Sequence, residues 1–152
     1  MKKIVLKLMF IAIMTVMLSD SIHAEAISNK NFGSVTVSEV TSIYDGDTFR
    51  ANIAEYPEII GYRMGIRVNG IDTPEMRGKC QQEKVLARKA KQFTVAKLRA
   101  AKTIELRNMK RGKYFRIVAD VYVDNQNLGD MLIEEDLAVA YNGGHKGKDW
   151  CQ

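Results

Sequence analysis

The amino-acid sequence predicts one small α+β domain: five short strands curled into a barrel, a helix inserted between the third and fourth strands, and a shorter helix after the fifth. Three observations predict it. Five segments alternate apolar and polar residues with period two, one long segment repeats every three or four residues instead, and the connections are short and rich in turn formers.

The first strand falls on residues 33–40, where Val35, Val37 and Val40 are set among polar neighbours. Ser42, Ile43 and Tyr44 lead into Asp45-Gly46, a hairpin-type turn signal, and residues 48–53 alternate again as a second strand. A polar connection carries Glu55, Pro57 and Gly61, and residues 62–71 read as a third strand with Met64, Ile66 and Val68 spaced by two. Pro74 ends it. Over residues 81–101, Leu86, Ala90, Phe93, Ala96 and Ala100 recur at spacings of four and three, with Lys84, Arg88 and Lys91 between them, so an amphipathic helix is expected; Val85, Val95 and Leu98 fall off that stripe, so its buried face is expected to be broad. Residues 103–107 alternate as a fourth strand, residues 110–113 turn, and residues 115–123 form the fifth. Asp124-Asn125 then turns the chain into a short helix over residues 128–135, with Leu128, Met131 and Leu132 inward. This order matches a five-stranded OB-fold barrel capped by helices; an open α+β sandwich accommodates the same elements and is the alternative.

The chain has 152 residues, enough for one core but not two. Residues 1–26 have the pattern of a secretory signal peptide. Lys2, Lys3 and Lys7 open it, an apolar run over residues 8–18 is broken only by Thr15, and Ala24-Glu25-Ala26 supplies small residues for cleavage after Ala26, with Ala24 as the rival site. That run is too short to span a bilayer. The expectation is an exported monomer, periplasmic or secreted, without stable membrane association once the signal is cleaved, whose folded domain occupies residues 33–152.

Cleavage changes the charge arithmetic. The formal +5, from 23 Lys and Arg against 18 Asp and Glu, becomes +4, because three Lys leave together with Asp20 and Glu25. A mildly basic domain points to an anionic partner without making the protein a general polyanion coat. His23 leaves as well, so His145 stands alone, which argues against chemistry run by a histidine pair and against His-rich zinc sites. Cys80 and Cys151 both lie in the exported part, and in an oxidising compartment they are expected to form one disulfide, worth about 4 kcal/mol on the chain-entropy model for a loop of this length. Two buried or free thiols are the alternative.

Three segments put charged groups beside a turn or strand end. Asp45-Gly46-Asp47-Thr48 is explained by a hairpin turn alone, except that Asp47 sets a second carboxylate where the next strand begins. Over residues 67–75 a strand delivers Arg67 and, at its end, Asp72, after which Thr73 and Pro74 turn the chain towards Glu75. Side chains alternate along a strand, so a bulge at Gly70 would be needed to bring Arg67 and Asp72 to one side. A surface salt-bridge cluster is the plain explanation. The third segment, residues 112–116, is a basic turn entering a strand at Arg116, and a solvated edge accounts for it by itself.

Together the three segments resemble the staphylococcal nuclease family, with its D-G-D-T, R-x-x-x-x-D-T-P-E and D-K-Y-G-R-like patterns in the same order. The first two are intact here, and the resemblance spans residues 35–141. It implies an OB-fold, Ca²⁺ as cofactor and hydrolysis of phosphodiester bonds in DNA, or in RNA, with low sequence specificity and 3′-phosphate products. Asp47 and Asp72 match the calcium-binding carboxylates and Thr73 the position that supplies a backbone carbonyl. Arg67 and Arg116 match the catalytic arginines, Glu75 the general base, and Lys113 and Tyr114 the contacts to a nucleotide phosphate. Oxygen donors without thiol or imidazole suit a hard cation. A planar guanidinium meets two phosphate oxygens at once where a phosphodiester transition state gathers charge.

The departures are local. Gly112 stands where the family often has Asp and Phe115 where it has Gly, so the loop before Arg116 is expected to differ in geometry. The tail over residues 142–152 replaces a third helix, and the disulfide is expected to pin it near the active-site loop. Tyr141 is open to two readings, a base-stacking surface or a core residue. His145 and Trp150 read as solvent and packing groups. A nucleic-acid-binding module that has lost catalysis is the competing function, and the presence of Asp47, Arg67, Asp72, Glu75 and Arg116 together argues against it.

Overall fold

The structure, a computed structural model, describes residues 30–152; the expected signal peptide lies outside the described residues. The strands are β1 (Val35–Thr36), β2 (Glu39–Ile43), β3 (Thr48–Asn52), β4 (Met64–Val68), β5 (Ile71–Asp72), β6 (Ile104–Arg111), β7 (Arg116–Val123), β8 (Gln126–Asn127) and β9 (Val139–Ala140). The helices are α1 (Glu58–Gly61), α2 (Gln81–Ala100) and α3 (Leu128–Glu134), and a 3₁₀ turn over Lys113–Phe115 leads into β7.

A curled mixed sheet runs β1-β6-β7-β4-β3-β2, with β8 paired to β7, and β5 pairs separately with β9. Every pairing is antiparallel except β4 with β7, which are parallel and separated in sequence by α2 and β6. β1 and β2 serve as one bent strand. Val35 pairs with Leu106 on β6, the Val37 N–H still donates to the Ile104 carbonyl, and one residue on the Ser38 N–H donates to Asn52 on β3. That handover bends the sheet round a core and gives the five strands of an OB-fold in the order the alternation predicts.

Phe49, Ala51, Ile66, Val68, Leu106, Ala119 and Val121 form the inner face of the sheet, and Ala90, Leu98, Leu128 and Leu132 close it from α2 and α3. Period two explains the sheet side: β4 buries Met64, Ile66 and Val68 and leaves Gly65 and Arg67 on the other face. The expected stripe of α2 is corrected. Glu83, Ala87, Ala90, Thr94 and Leu98 are buried, whereas Ala96 and Ala100 are exposed and Leu86 and Phe93 only half-buried. Small side chains line the contact because the helix lies close to the loop before β3, so the largest apolar residues do not mark its buried face.

The third strand is also shorter than its alternation. It ends at Val68, the chain turns at Asn69-Gly70, where Gly70 has φ +77°, and β5 begins again at Ile71. A turn between two strands replaces the expected bulge. Among the described residues no helix is long and apolar enough to cross a membrane.

Candidate active site

Asp47 sits at the entry to β3 and is 1% exposed. Such a carboxylate requires a full set of donors. One oxygen accepts from the Arg67 guanidinium and from the Thr48 hydroxyl at 2.9 Å; the other accepts from the Thr73 N–H at 3.1 Å and the Thr73 hydroxyl at 2.9 Å. Asp72, 2% exposed at the end of β5, accepts from Arg67 at 3.3 Å, and Arg67 also donates to the Ile71 carbonyl at 3.3 Å. The turn at Gly70 thus folds Asp72 back onto the outward face of β4, and one guanidinium spans both carboxylates.

Gly46 makes this loop possible. A Cβ there would lie 2.8 Å from the Ala90 Cβ and 2.9 Å from the Thr73 methyl, so only glycine lets the loop press on α2. The helix answers with the Thr94 hydroxyl, which donates to the Gly46 carbonyl at 2.7 Å in a buried position. The glycine of D-G-D is therefore a packing requirement as much as a turn former.

Asp45 was not expected to have a part in the site. It is buried, and its carboxylate accepts the Asp47 N–H at 3.1 Å. Burial, then the charge of Asp47, push its carboxyl up from 3.8 to about 7, against the opposing pull of the Asp47 N–H and Arg67. Its acidic side chain inside a turn signal was the available clue, which the hairpin explanation absorbed.

Glu75 stands at the rim, half-exposed, and its backbone is held from behind by another carboxylate. Glu83 accepts from the Glu75 N–H at 3.3 Å and from the Lys79 N–H at 2.9 Å. Since Cys80 caps α2, Glu83 occupies the third helical position, where a glutamate reaches back over the helix start. The Lys146 ammonium donates to Glu75 and, at 2.8 Å, makes an ion pair with Asp72. Burial opposes the charge on Lys146, but the hydrogen bonds to Asp72 and Glu75 carry its pKa above the ordinary lysine value. No motif pointed to Lys146, because the tail that brings it has no periodicity.

Arg116 opens β7 opposite Gly65 in the parallel register, so it shares a sheet face with Arg67 one alternation further along β4. Among the described residues its guanidinium has no ion pair, and its buried Nε has no hydrogen-bond partner. It lines a groove of about 360 Å³ with Tyr44, Thr48, Gly65, Tyr114 and Phe115. The loop before it is explained by its departures. A Cβ on Gly112 would lie 2.7 Å from the Val118 side chain, which accounts for a glycine there. Tyr114 (φ 58°) and Phe115 (φ 52°) are both left-handed, so Phe115 keeps the backbone that a glycine would adopt without strain. Lys113 is exposed, Tyr114 is 90% exposed, and the Arg111 guanidinium lies 4.4 Å from the Phe115 ring centre.

Tyr141 stands apart from the core. It is half-buried, its N–H donates to Gly70 and its hydroxyl to the Gly144 carbonyl, both at 2.8 Å, so it anchors the tail. Cys80 and Cys151 are joined, with Cα atoms 5.9 Å apart, and Trp150 is buried beside them.

The donors gathered here fit a hard divalent cation. Asp47 and Asp72, brought together on Arg67, supply only oxygen, and the nearby sulfurs are consumed in the disulfide. Members of the family that this chain matches are generally metal-dependent.

Residues 65–149, over half of the chain, match the model of the staphylococcal nuclease homologue family. A probable endonuclease of Schizosaccharomyces pombe is 28% identical over 127 residues, covering 68% of this chain and 55% of the relative, so the chain spans about half the length of that protein. The matched range takes in Arg67, Asp72, Glu75 and Arg116 but starts after Asp47, which the fold supplies by closing β3 onto β4. On this evidence the chain belongs to the staphylococcal nuclease homologue family.

Proposed function

We propose that the protein is an exported, Ca²⁺-dependent nuclease that hydrolyses phosphodiester bonds in DNA, and in RNA, with low sequence specificity and leaves 3′-phosphates. The observation that carries this reading is the convergence of Asp47 and Asp72 on Arg67, delivered by β3, β4 and β5, with Glu75 from the loop after β5 joined to Asp72 through Lys146. The family membership and the name of the Schizosaccharomyces pombe relative support it.

Each residue has a task that its surroundings suit. Asp47 and Asp72, with the carbonyl of Thr73, would hold Ca²⁺, which when bound supplies positive charge beside the non-bridging oxygens of the scissile phosphate. Arg116, which has no ion pair among the described residues, would donate to those oxygens, and Arg67 adds positive charge while it orients both aspartates. Glu75, the exposed carboxylate of the group, takes a proton from the attacking water. Lys113 and Tyr114 lie beside Arg116 and would contact the neighbouring phosphate, and the exposed Tyr44 and Tyr114 rings would stack on unpaired bases. The signal-like residues 1–26 and the disulfide support export.

The test is cleavage of plasmid and single-stranded DNA by the purified chain, with Ca²⁺, with chelator, and as Glu75→Gln. The expected result is cleavage only with Ca²⁺, a loss of at least about 10²-fold in Glu75→Gln, and product ends that a 3′-phosphatase converts to hydroxyls. Binding without cleavage would assign the chain to the non-catalytic modules instead.

A further inference from the structure

The tail over residues 141–152 has little apolar content of its own, yet it is fixed at both ends. At its start Tyr141 is tied to Gly70 and to Gly144. At its end the Cys151–Cys80 disulfide bolts it to the cap of α2, Trp150 is buried, and Gln82 donates to the terminal Gln152 carbonyl at 3.2 Å. Lys146 lies midway, five residues from each anchor. Gly143 and Gly144, both at positive φ, turn the segment so that this lysine reaches inward over a cleft of about 750 Å³. Its ammonium bridges Asp72 and Glu75 although its side chain is 42% exposed.

An exposed lysine gains little from a surface ion pair, and a free tail would lose that gain to chain entropy. Anchoring both ends removes most of the entropic loss and raises the effective concentration of the ammonium at the carboxylates. Asp72 and Glu75 are also the groups to which the nuclease reading gives the cation and the attacking water.

We propose that Lys146 belongs to the active centre as a tethered cation, which bridges Asp72 and Glu75 and competes with an incoming divalent ion, and that the Cys80–Cys151 disulfide sets the strength of that competition. The proposal rests on the nuclease reading for the identity of the ion site. Reduction of the disulfide removes the covalent anchor and leaves the tail's end held by Trp150 and Gln82 alone, which lowers the local concentration of the ammonium and leaves the carboxylates more open to the metal. Lys146 is thus a positioning residue, and the oxidation state of the tail tunes metal affinity without touching a ligand.

The test is calorimetric titration of Ca²⁺ into the full chain without nucleic acid, so that the readout is affinity rather than turnover. Lys146→Met is expected to bind Ca²⁺ about five- to tenfold more tightly than the unaltered protein, within the usual range of coupling between sites, and Lys146→Arg to stay near it. Reductant is expected to tighten binding in the unaltered protein and to leave Lys146→Met unchanged. Equal or weaker binding by Lys146→Met, or equal gains from reductant in both proteins, overturns the proposal. If the nuclease reading alone fails, Ca²⁺ still binds with this pattern but no form cleaves DNA; if the tether alone fails, cleavage persists and the pattern is missing.

Discussion

Asp45 is the residue whose chemistry is most displaced by the fold. Its carboxyl titrates at about 7 in the folded chain against 3.8 ordinarily, because burial and Asp47 disfavour its charge. Below the ordinary value both folded and unfolded states hold the proton, so Asp45 contributes nothing to pH dependence there. Between about 4 and 7 unfolding releases that proton, so stability falls as pH rises through this window and the whole cost is present above it. Asp45→Asn in chelator is expected to melt above the unaltered protein at pH 8 and level with it near pH 3.5. Parallel melting-temperature profiles for the two proteins would refute this. At Phe115, replacement by Gly relieves a left-handed side chain, and denaturant unfolding is expected to show a gain of about 1 kcal/mol. A loss would mean that the packing of Arg111 on the ring outweighs backbone strain.

At the scale of elements, α2 positions the site by standing close behind it. Ala90 touches the loop that carries Asp47, Thr94 bonds its carbonyl, and Glu83 holds the chain on either side of Arg77. Thr94→Val keeps the shape but leaves the Gly46 carbonyl unpaired in a dry contact, for which unfolding experiments are expected to show a loss of about 1–3 kcal/mol. Gly46→Ala forces loop and helix apart and is expected to cost about as much as overpacking elsewhere, 1–3 kcal/mol, with a fall in DNA cleavage because Asp47 moves with the loop. Normal activity in Gly46→Ala would separate the loop from the catalytic geometry. The alternation of the strands was legible in the sequence because a half-buried sheet imposes it residue by residue. The buried line of α2 was legible only in part: Ala90 stood on the expected stripe, but close approach also selected Ala87 and Thr94, which carry a weak hydrophobic signal, over the larger Leu86 and Phe93.

For the molecule as a whole, the disulfide joins the start of α2 to the end of the chain across a sequence separation of 71. Replacing both cysteines with Ser is expected to lower the melting temperature under oxidising conditions by at least about 5 °C, given a chain-entropy contribution of about 4 kcal/mol. An unchanged value would show that the tail is held by Trp150 and Tyr141 without it. The order of the five barrel strands and the two longer helices, the motif pattern that carries Asp47, Arg67, Asp72, Glu75 and Arg116, and the pairing of Cys80 with Cys151 are readable along the chain, because each follows from local pattern; the short β5, β8, β9 and α1 are not. Asp45, Glu83 and Lys146 are of another kind. A carboxylate in a turn, a glutamate at a helix start and a lysine in a glycine-rich tail look ordinary in one dimension. They acquire roles only when folding buries the first, turns the second back on the chain before it and tethers the third over Asp72, since burial and proximity are properties of the closed fold and not of any segment within it.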